Sequence, residues 1–245
     1  MSSFDGKRLL ALVRGGDYAH AGEEEAIELA FREVPKRPAQ SILDVGCGRG
    51  GTIAYLHRNG WCQDAAGIDR DRDSIEYARA HYPAIHFEAC DVLEVPNVLA
   101  RRFDVIYMLN AFYAFDAQRE ALAALRQVAA DTARLIIFDY LDRDNLAADP
   151  LVVNGSNIVP HPIEMPQISR DLLANGWKLE SFLAVNGQYR RWYAELVARI
   201  ERKRGEIIAS GGDDAFDYMM SVYGGMLARI ERGLLGGIIL TATAV

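Results

Sequence analysis

Three stretches of this 245-residue chain combine residue types and spacings that can bind a nucleotide-like ligand. The first is Leu43-Asp44-Val45-Gly46-Cys47-Gly48-Arg49-Gly50-Gly51. Gly46, Gly48 and Gly50 permit a tight turn and let the backbone approach a ligand that side chains would block. The second is Gly67-Ile68-Asp69 followed by Arg70, an acid about 20 residues past the glycines, where a carboxylate can accept two ribose hydroxyls. The third is Cys90-Asp91-Val92. A pyrophosphate binds to helix N-terminal amides and disfavours a nearby anion. Asp44, two residues before the first glycine, suits a ligand with a cationic amino group instead, and argues against a nicotinamide-dependent oxidoreductase, the rival reading of the same glycines.

These acids need a scaffold that brings them to one edge. Short apolar runs at Ser41–Val45, Ala65–Ile68, Ile85–Phe87, Phe103–Leu109 and Ala133–Phe138 alternate with helical patterns at Gly51–Asn59, Arg72–Ala80 and Ala117–Ala129. Nearly all-apolar strands separated by helices are what a parallel sheet covered on both faces requires. The predicted fold is therefore α/β and doubly wound, with Asp69 and Asp91 at the carboxyl edge where such sheets bind ligands. Ahead of it, residues 7 to 34 read as helices interrupted at Gly15-Gly16. After it come a proline-rich stretch from Pro150 to Pro166, a helix at Ser169–Asn175 and a strand at Trp177–Val185. Two amphipathic helices broken at Ser210–Gly212, and a last strand at Leu234–Val245, end the chain.

The set of motifs resembles that of class I S-adenosylmethionine-dependent methyltransferases: an acid and Gly-x-Gly-x-Gly after the first strand, an acid ending the second, and an Asp after the third. The resemblance covers residues 41 to 140 well. It implies a seven-stranded Rossmann-like sheet, mostly parallel with the last strand antiparallel. The expected layout is an N-terminal helical cap at 1–40 and a methyltransferase domain at 41–245 with a helical lid at about 186–232. Carried over, Asp44, Gly46, Cys47 and Gly48 would hold the methionine part, Asp69 with Arg70 the ribose, and Asp91 and Val92 the adenine. Asn110 would lie under the sulfonium.

Methyl transfer from a sulfonium is an in-line displacement in which positioning and desolvation can supply most of the acceleration, so a base is optional. Asn110-Ala111-Phe112-Tyr113 stands where family members acting on amides or base amines carry Asn/Asp-Pro-Pro-Tyr, and lacks both prolines. A small-molecule acceptor is expected, with an amine nitrogen slightly ahead of a hydroxyl oxygen. Tyr189-Arg190-Arg191-Trp192-Tyr193 and Gly233-Leu234-Leu235-Gly236-Gly237 are loosely similar to glycine, sarcosine and dimethylglycine N-methyltransferases. There Arg190 or Arg191 could hold a carboxylate, and Tyr189 and Trp192 a methylated ammonium. Tyr18, His20 and Phe112 complete the substrate candidates; Asn110, Tyr113, Tyr140 and His161 are the catalytic ones. A non-catalytic cofactor-binding protein of the same fold is a further alternative.

Composition narrows the partners. With 27 Lys and Arg against 34 Asp and Glu the formal charge is −7, which argues against an electrostatic nucleic-acid binder. No apolar run approaches the roughly 18 residues of a bilayer span. Cys47, Cys62 and Cys90 have no metal-ligand spacing and read as reduced thiols, so no metal and a cytoplasmic setting are expected. A homodimer stays open.

Overall fold

The computed structural model describes residues 4–245. In chain order the elements are α1 (Phe4–Arg14), α2 (Glu23–Ala30), β1 (Ser41–Val45), α3 (Gly51–Arg58), β2 (Asp64–Asp69), α4 (Arg72–His81), β3 (His86–Ala89), α5 (Val95–Val98) and β4 (Phe103–Leu109). Next come α6 (Gln118–Gln127), β5 (Ala129–Asp142), β6 (Val152–Val153), β7 (Ser156–Asn157), α7 (Met165–Ala174), β8 (Trp177–Ala184), α8 (Asn186–Arg202), α9 (Arg204–Gly211), α10 (Asp213–Glu231) and β9 (Leu235–Ala244).

Seven strands form one sheet in the order β3-β2-β1-β4-β5-β9-β8. The first five are parallel, and β9 runs antiparallel to both β5 and β8. This is the doubly wound sheet that the alternation of apolar runs predicted, with the antiparallel last strand that the resemblance implied. Reversal of order at β1 and β4 opens a crevice at their carboxyl ends, the binding place in open α/β sheets.

The strands are continuous apolar runs because both faces are covered: Ile42 and Val105 pack on one side, Leu43 and Ile106 on the other. The first side also carries α1, α2, α8 and α10, through Leu10, Ile27, Tyr189 and Met219. The second is closed by Leu122 and Leu125 of α6, Leu172 of α7 and Trp177, whose indole Nε1 donates to Leu122 O at 3.0 Å.

Several boundaries differ from expectation, among them the start of α7 at Met165 instead of Ser169 and the end of β5 at Asp142 instead of Phe138. β5 starts at Ala129 instead of Ala133, because Phe103 pairs with Ala129 before the ladder shifts register. The break at Ser210–Gly212 contains the end of a separate helix, α9, since Arg204 to Gly211 stays helical after a kink at Lys203. The proline-rich stretch holds a small hairpin, β6 with β7, turned by Asn154 and Gly155, both at positive φ (50° and 77°). Among the described residues no helix is long and apolar enough to cross a membrane.

Candidate functional site

The loop after β1 is pinned across the sheet. Gly46 N and Cys47 N both donate to Ile68 O (2.8 and 2.9 Å), which brings the glycines against the end of β2. Gly46 has φ 79°, and a Cβ placed there would lie 2.5 Å from the Ala111 Cβ, so only glycine lets this turn pass the end of β4. Gly48 N donates to Asp69 Oδ2 at 2.8 Å, while Asp69 Oδ1 accepts from Asp71 N (2.9 Å) and Lys7 Nζ (3.0 Å). Lys7 also reaches Asp71 at 3.3 Å. Asp91 caps the turn after β3 by accepting from Leu93 N at 3.0 Å.

Asp44 is 3% exposed, and among the described residues its Oδ2 has no hydrogen-bond partner. Burial pushes its pKa up to about 7; the Tyr107 hydroxyl lies beside it without a well-formed hydrogen bond and offsets part of that rise, and the Asp69 charge adds to it. A buried carboxylate with an unanswered oxygen, beside a glycine cradle that a Cβ would fill, fits a ligand that brings a cation.

One cavity of about 300 Å³ runs from this edge into the helical layer. Gly46, Asp69, Arg70, Asp91, Val92, Asn110 and Ala111 line its strand-edge end. Leu10 and Arg14 of α1, Tyr193 of α8, Val222, Tyr223 and Met226 of α10, and Ile158 line the other. Tyr113 and Tyr140 stand between, edge to face with centroids 4.8 Å apart. The Tyr140 and Tyr193 hydroxyls meet at 2.5 Å, and burial drives both phenols upward in pKa, so they remain protonated.

Beneath them lies fully buried Asp139, whose Oδ1 accepts from Tyr140 N (2.8 Å) and whose Oδ2 accepts from Tyr113 N (3.1 Å). Burial raises it to about 7 against these bonds. Its role is to fix the backbone that carries both tyrosines. Among the described residues no group of three or more His, Cys, Asp or Glu could hold a metal ion.

Of the sequence candidates, Gly46, Asp69, Arg70, Asp91, Val92, Asn110, Tyr113 and Tyr140 therefore come together in one cavity. Asp44, Cys47 and Gly48 stand just behind its wall. Asn110, in the left-handed region at φ 51°, spends its amide on the fold: Oδ1 accepts from Ala21 N at 3.0 Å and Nδ2 donates to the Tyr189 hydroxyl at 2.8 Å.

The others lie outside this cavity, and each has a physical reason. His20 is 2% exposed, with its ring nitrogens against Ala21 O and Thr52 Oγ1, and burial lowers its pKa to about 3, so it stays neutral. Tyr18 donates to Glu24 at 3.0 Å. Tyr189 and Trp192 are buried on the sheet-facing side of α8, where Trp192 Nε1 donates to Glu25 at 2.9 Å. Arg190 is exposed, and Arg191 pairs with Glu25. Phe112 is fully buried in the second core. His161 lines a separate cleft and faces Asp116 at 3.2 Å.

The sequence reading missed Lys7 and Arg14, although Lys7, Leu10 and Arg14 recur at i, i+3 and i+7, the spacing of one helix face. It also did not single out Tyr193 and Tyr223 as site residues.

Comparison with known proteins points the same way. A methyltransferase-domain family model matches residues 42–132. An O-methyltransferase of Penicillium expansum is 30% identical over 191 residues, covering 70% of this chain and 67% of its own length. The chain spans 54 to 67% of the length of the first curated relatives it matches. In fold it is similar to the cyclopropane synthase MmaA2 of Mycobacterium tuberculosis (TM-score 0.81, 15% identity, 99% and 96% coverage). It is equally similar to a Haemonchus contortus phosphoethanolamine N-methyltransferase solved with phosphomonomethylethanolamine and S-adenosylhomocysteine (TM-score 0.82, 14% identity, 98% and 57% coverage). With its glycine cradle, its acids at the strand ends and these relatives, the chain belongs to the class I S-adenosylmethionine-dependent methyltransferases and uses S-adenosylmethionine as its methyl donor.

Proposed function

We propose that the enzyme methylates a small molecule with an apolar body, at a neutral nucleophile, with a hydroxyl oxygen favoured over an amine nitrogen. The observation that carries this is the wall of the inner end: Tyr113, Tyr140, Tyr193 and Tyr223 with Leu10, Val222 and Met226, and Arg14 as its cation. A cation there penalises a second positive charge such as an ammonium acceptor. This reverses the order expected from sequence, and the Penicillium relative's name supports the oxygen.

In this reading Asp44, Gly46, Cys47 and Gly48 hold the methionine part of the donor, Asp69 and Arg70 the ribose, and Asp91 and Val92 the adenine. Asp44 Oδ2 would accept from the amino group. Asn110 braces the loop below the reacting centre through Ala21 and Tyr189. Tyr113 and Tyr140 confine the acceptor at the junction of the two ends. When bound, S-adenosylmethionine would supply a methyl on a sulfonium whose sulfur leaves as a neutral thioether, and the acceptor hydroxyl's proton would pass to bulk solvent on product release. The protonated phenols are poor bases, so the chain contributes by aligning and desolvating the acceptor, worth effective molarities up to ~10⁵ to 10⁸ M in favourable cases. Residues 1–40 and about 186–232 act in this reading as the cap and lid that exclude water.

Calorimetric titration with S-adenosylmethionine, S-adenosylhomocysteine and NADH tests the donor site. Micromolar binding of the first two alone is expected, and Asp69→Ala should weaken it by roughly 1.5 to 3 kcal/mol, the scale of hydrogen bonds to a charged group. Unchanged affinity in the variant would remove the ribose role. A hydroxyl and amine acceptor panel, read as methyl incorporation, tests the rest; turnover confined to amines would overturn the oxygen preference.

A further inference from the structure

Arg14 ends α1 with a side chain only 2% exposed, yet it lines the cavity. Its Nη1 donates to Glu23 Oε1 at 2.8 Å, while among the described residues its Nε has no hydrogen-bond partner. A buried guanidinium N–H without an acceptor is costly and is retained where a ligand supplies one. Glu23 does not neutralise it alone, because the same Oε1 also accepts from Arg199 Nη1 at 3.1 Å. Arg199 in turn meets Glu195 at 3.6 Å on the solvent side.

Glu23 is held in this shared position at φ 42°, a left-handed conformation that side chains adopt only under constraint. With Nη1 taken by Glu23, the remaining edge of the guanidinium is Nε with Nη2. That edge is the one that grips a carboxylate through two parallel N–H bonds. The Arg14 charge is felt by Tyr193 and Tyr223, which share its end of the cavity. Of the carboxylates that line the cavity, Asp69 and Asp91 come from its strand-edge side, and Asp116 is exposed and faces His161.

We propose that Arg14 is the specificity residue of the acceptor site and that the acceptor carries a carboxylate, held by the free edge of the guanidinium, at the end of its apolar body away from the methylated oxygen. The inference rests on the small-molecule reading above and adds the acceptor's charge to it. Leu10, Ile158, Val222 and Met226 clasp the body between that anchor and Tyr113. In this low-dielectric setting one desolvated Arg–carboxylate pair discriminates strongly against the uncharged analogue, since the analogue leaves the cation buried and unanswered.

The test uses the full chain loaded with S-adenosylhomocysteine and three matched probe pairs: 4-hydroxybenzoate, 3-(4-hydroxyphenyl)propionate and 3-hydroxydecanoate, each against its methyl ester. At least one acid should bind tenfold or more tightly than its ester by calorimetry. Arg14→Met should abolish that preference while leaving the ester and S-adenosylhomocysteine within about twofold, and Arg14→Lys should restore part of it. A merely structural Arg14 would lower stability without changing the acid-to-ester ratio. Acids that never bind better than their esters in the wild-type protein, or a preference that survives in Arg14→Met, would overturn the proposal. Failure of S-adenosylhomocysteine to bind the wild-type protein would instead overturn the donor site, and the inference with it.

Discussion

Asp44 concentrates the residue-scale chemistry, because its pKa is raised by burial to about 7 from an ordinary value of 3.8. The folded state therefore holds a proton that the unfolded state has released. Between roughly pH 4 and 7 the protein without its donor should lose stability as pH rises, and the curve should level above 7. Donor binding moves the other way, since an ammonium partner needs the ionised carboxylate. S-Adenosylmethionine affinity, followed by calorimetry from pH 6 to 8, should improve by up to about tenfold per pH unit below the pKa and then flatten. Asp44→Asn should raise the melting temperature of the donor-free protein at pH 8, weaken the donor and erase this pH dependence; an unchanged profile would remove Asp44 from the amino group. His20 opposes it over nearly the same range, because burial depresses its pKa from 6.5 to about 3 and its stabilising share is lost as pH falls through that window, whereas Asp139, also raised by burial to about 7, adds to the Asp44 trend and keeps the net sign. Asp44 and the glycines were legible in sequence because the motif is contiguous. The unanswered edge of Arg14 was not, because its partner, Glu23, is shared with Arg199, a contact that joins positions 176 apart along the chain.

At the scale of elements, α1 reaches both ends of the cavity along a single face, with Lys7 at the strand-edge carboxylates and Arg14 at the acceptor chamber. Lys7 occupies lone pairs of Asp69 that a ribose diol would use, and it places a cation near a donor that is itself a cation. Lys7→Met should accordingly tighten S-adenosylmethionine relative to neutral S-adenosylhomocysteine, by on the order of 1 kcal/mol at a partly buried site. Parallel titrations of the two ligands check it. A loss that is equal for both would mean that Lys7 supports the donor's shared parts. Periodicity located α1 as an apolar segment but could not distinguish its cavity face from a packed one, since Leu9, Leu10 and Val13 are all buried. The hairpin of β6 and β7 shows the opposite lapse. Its Asn154-Gly155 turn is a local signal that the surrounding prolines obscured.

Over the whole molecule, the antiparallel strand β9 couples the sheet to the helical layer. Gly237 pairs with Tyr140, and a Cβ at Gly237 would lie 2.1 Å from the Tyr189 ring, so α8 packs directly on backbone beside the site. Gly237→Ala should push Tyr189 away and cost about 1 to 3 kcal/mol by overpacking, lowering the melting temperature by about 2 to 4 °C for each kcal/mol. A melting curve superimposed on that of the wild type would show that α8 yields without penalty. The strand-helix alternation, the glycine loop and the acids at the ends of β2 and β3 were determined by the sequence alone, because each is a short-range pattern tied to backbone geometry. The acceptor chamber was decided by tertiary structure. Tyr189, Trp192 and Tyr193 share one amphipathic helix and are all buried, yet among them only Tyr193 faces the cavity. Hydrophobic periodicity reports which side of a helix is covered, whereas whether the cover is core or cavity depends on what the rest of the chain packs against it.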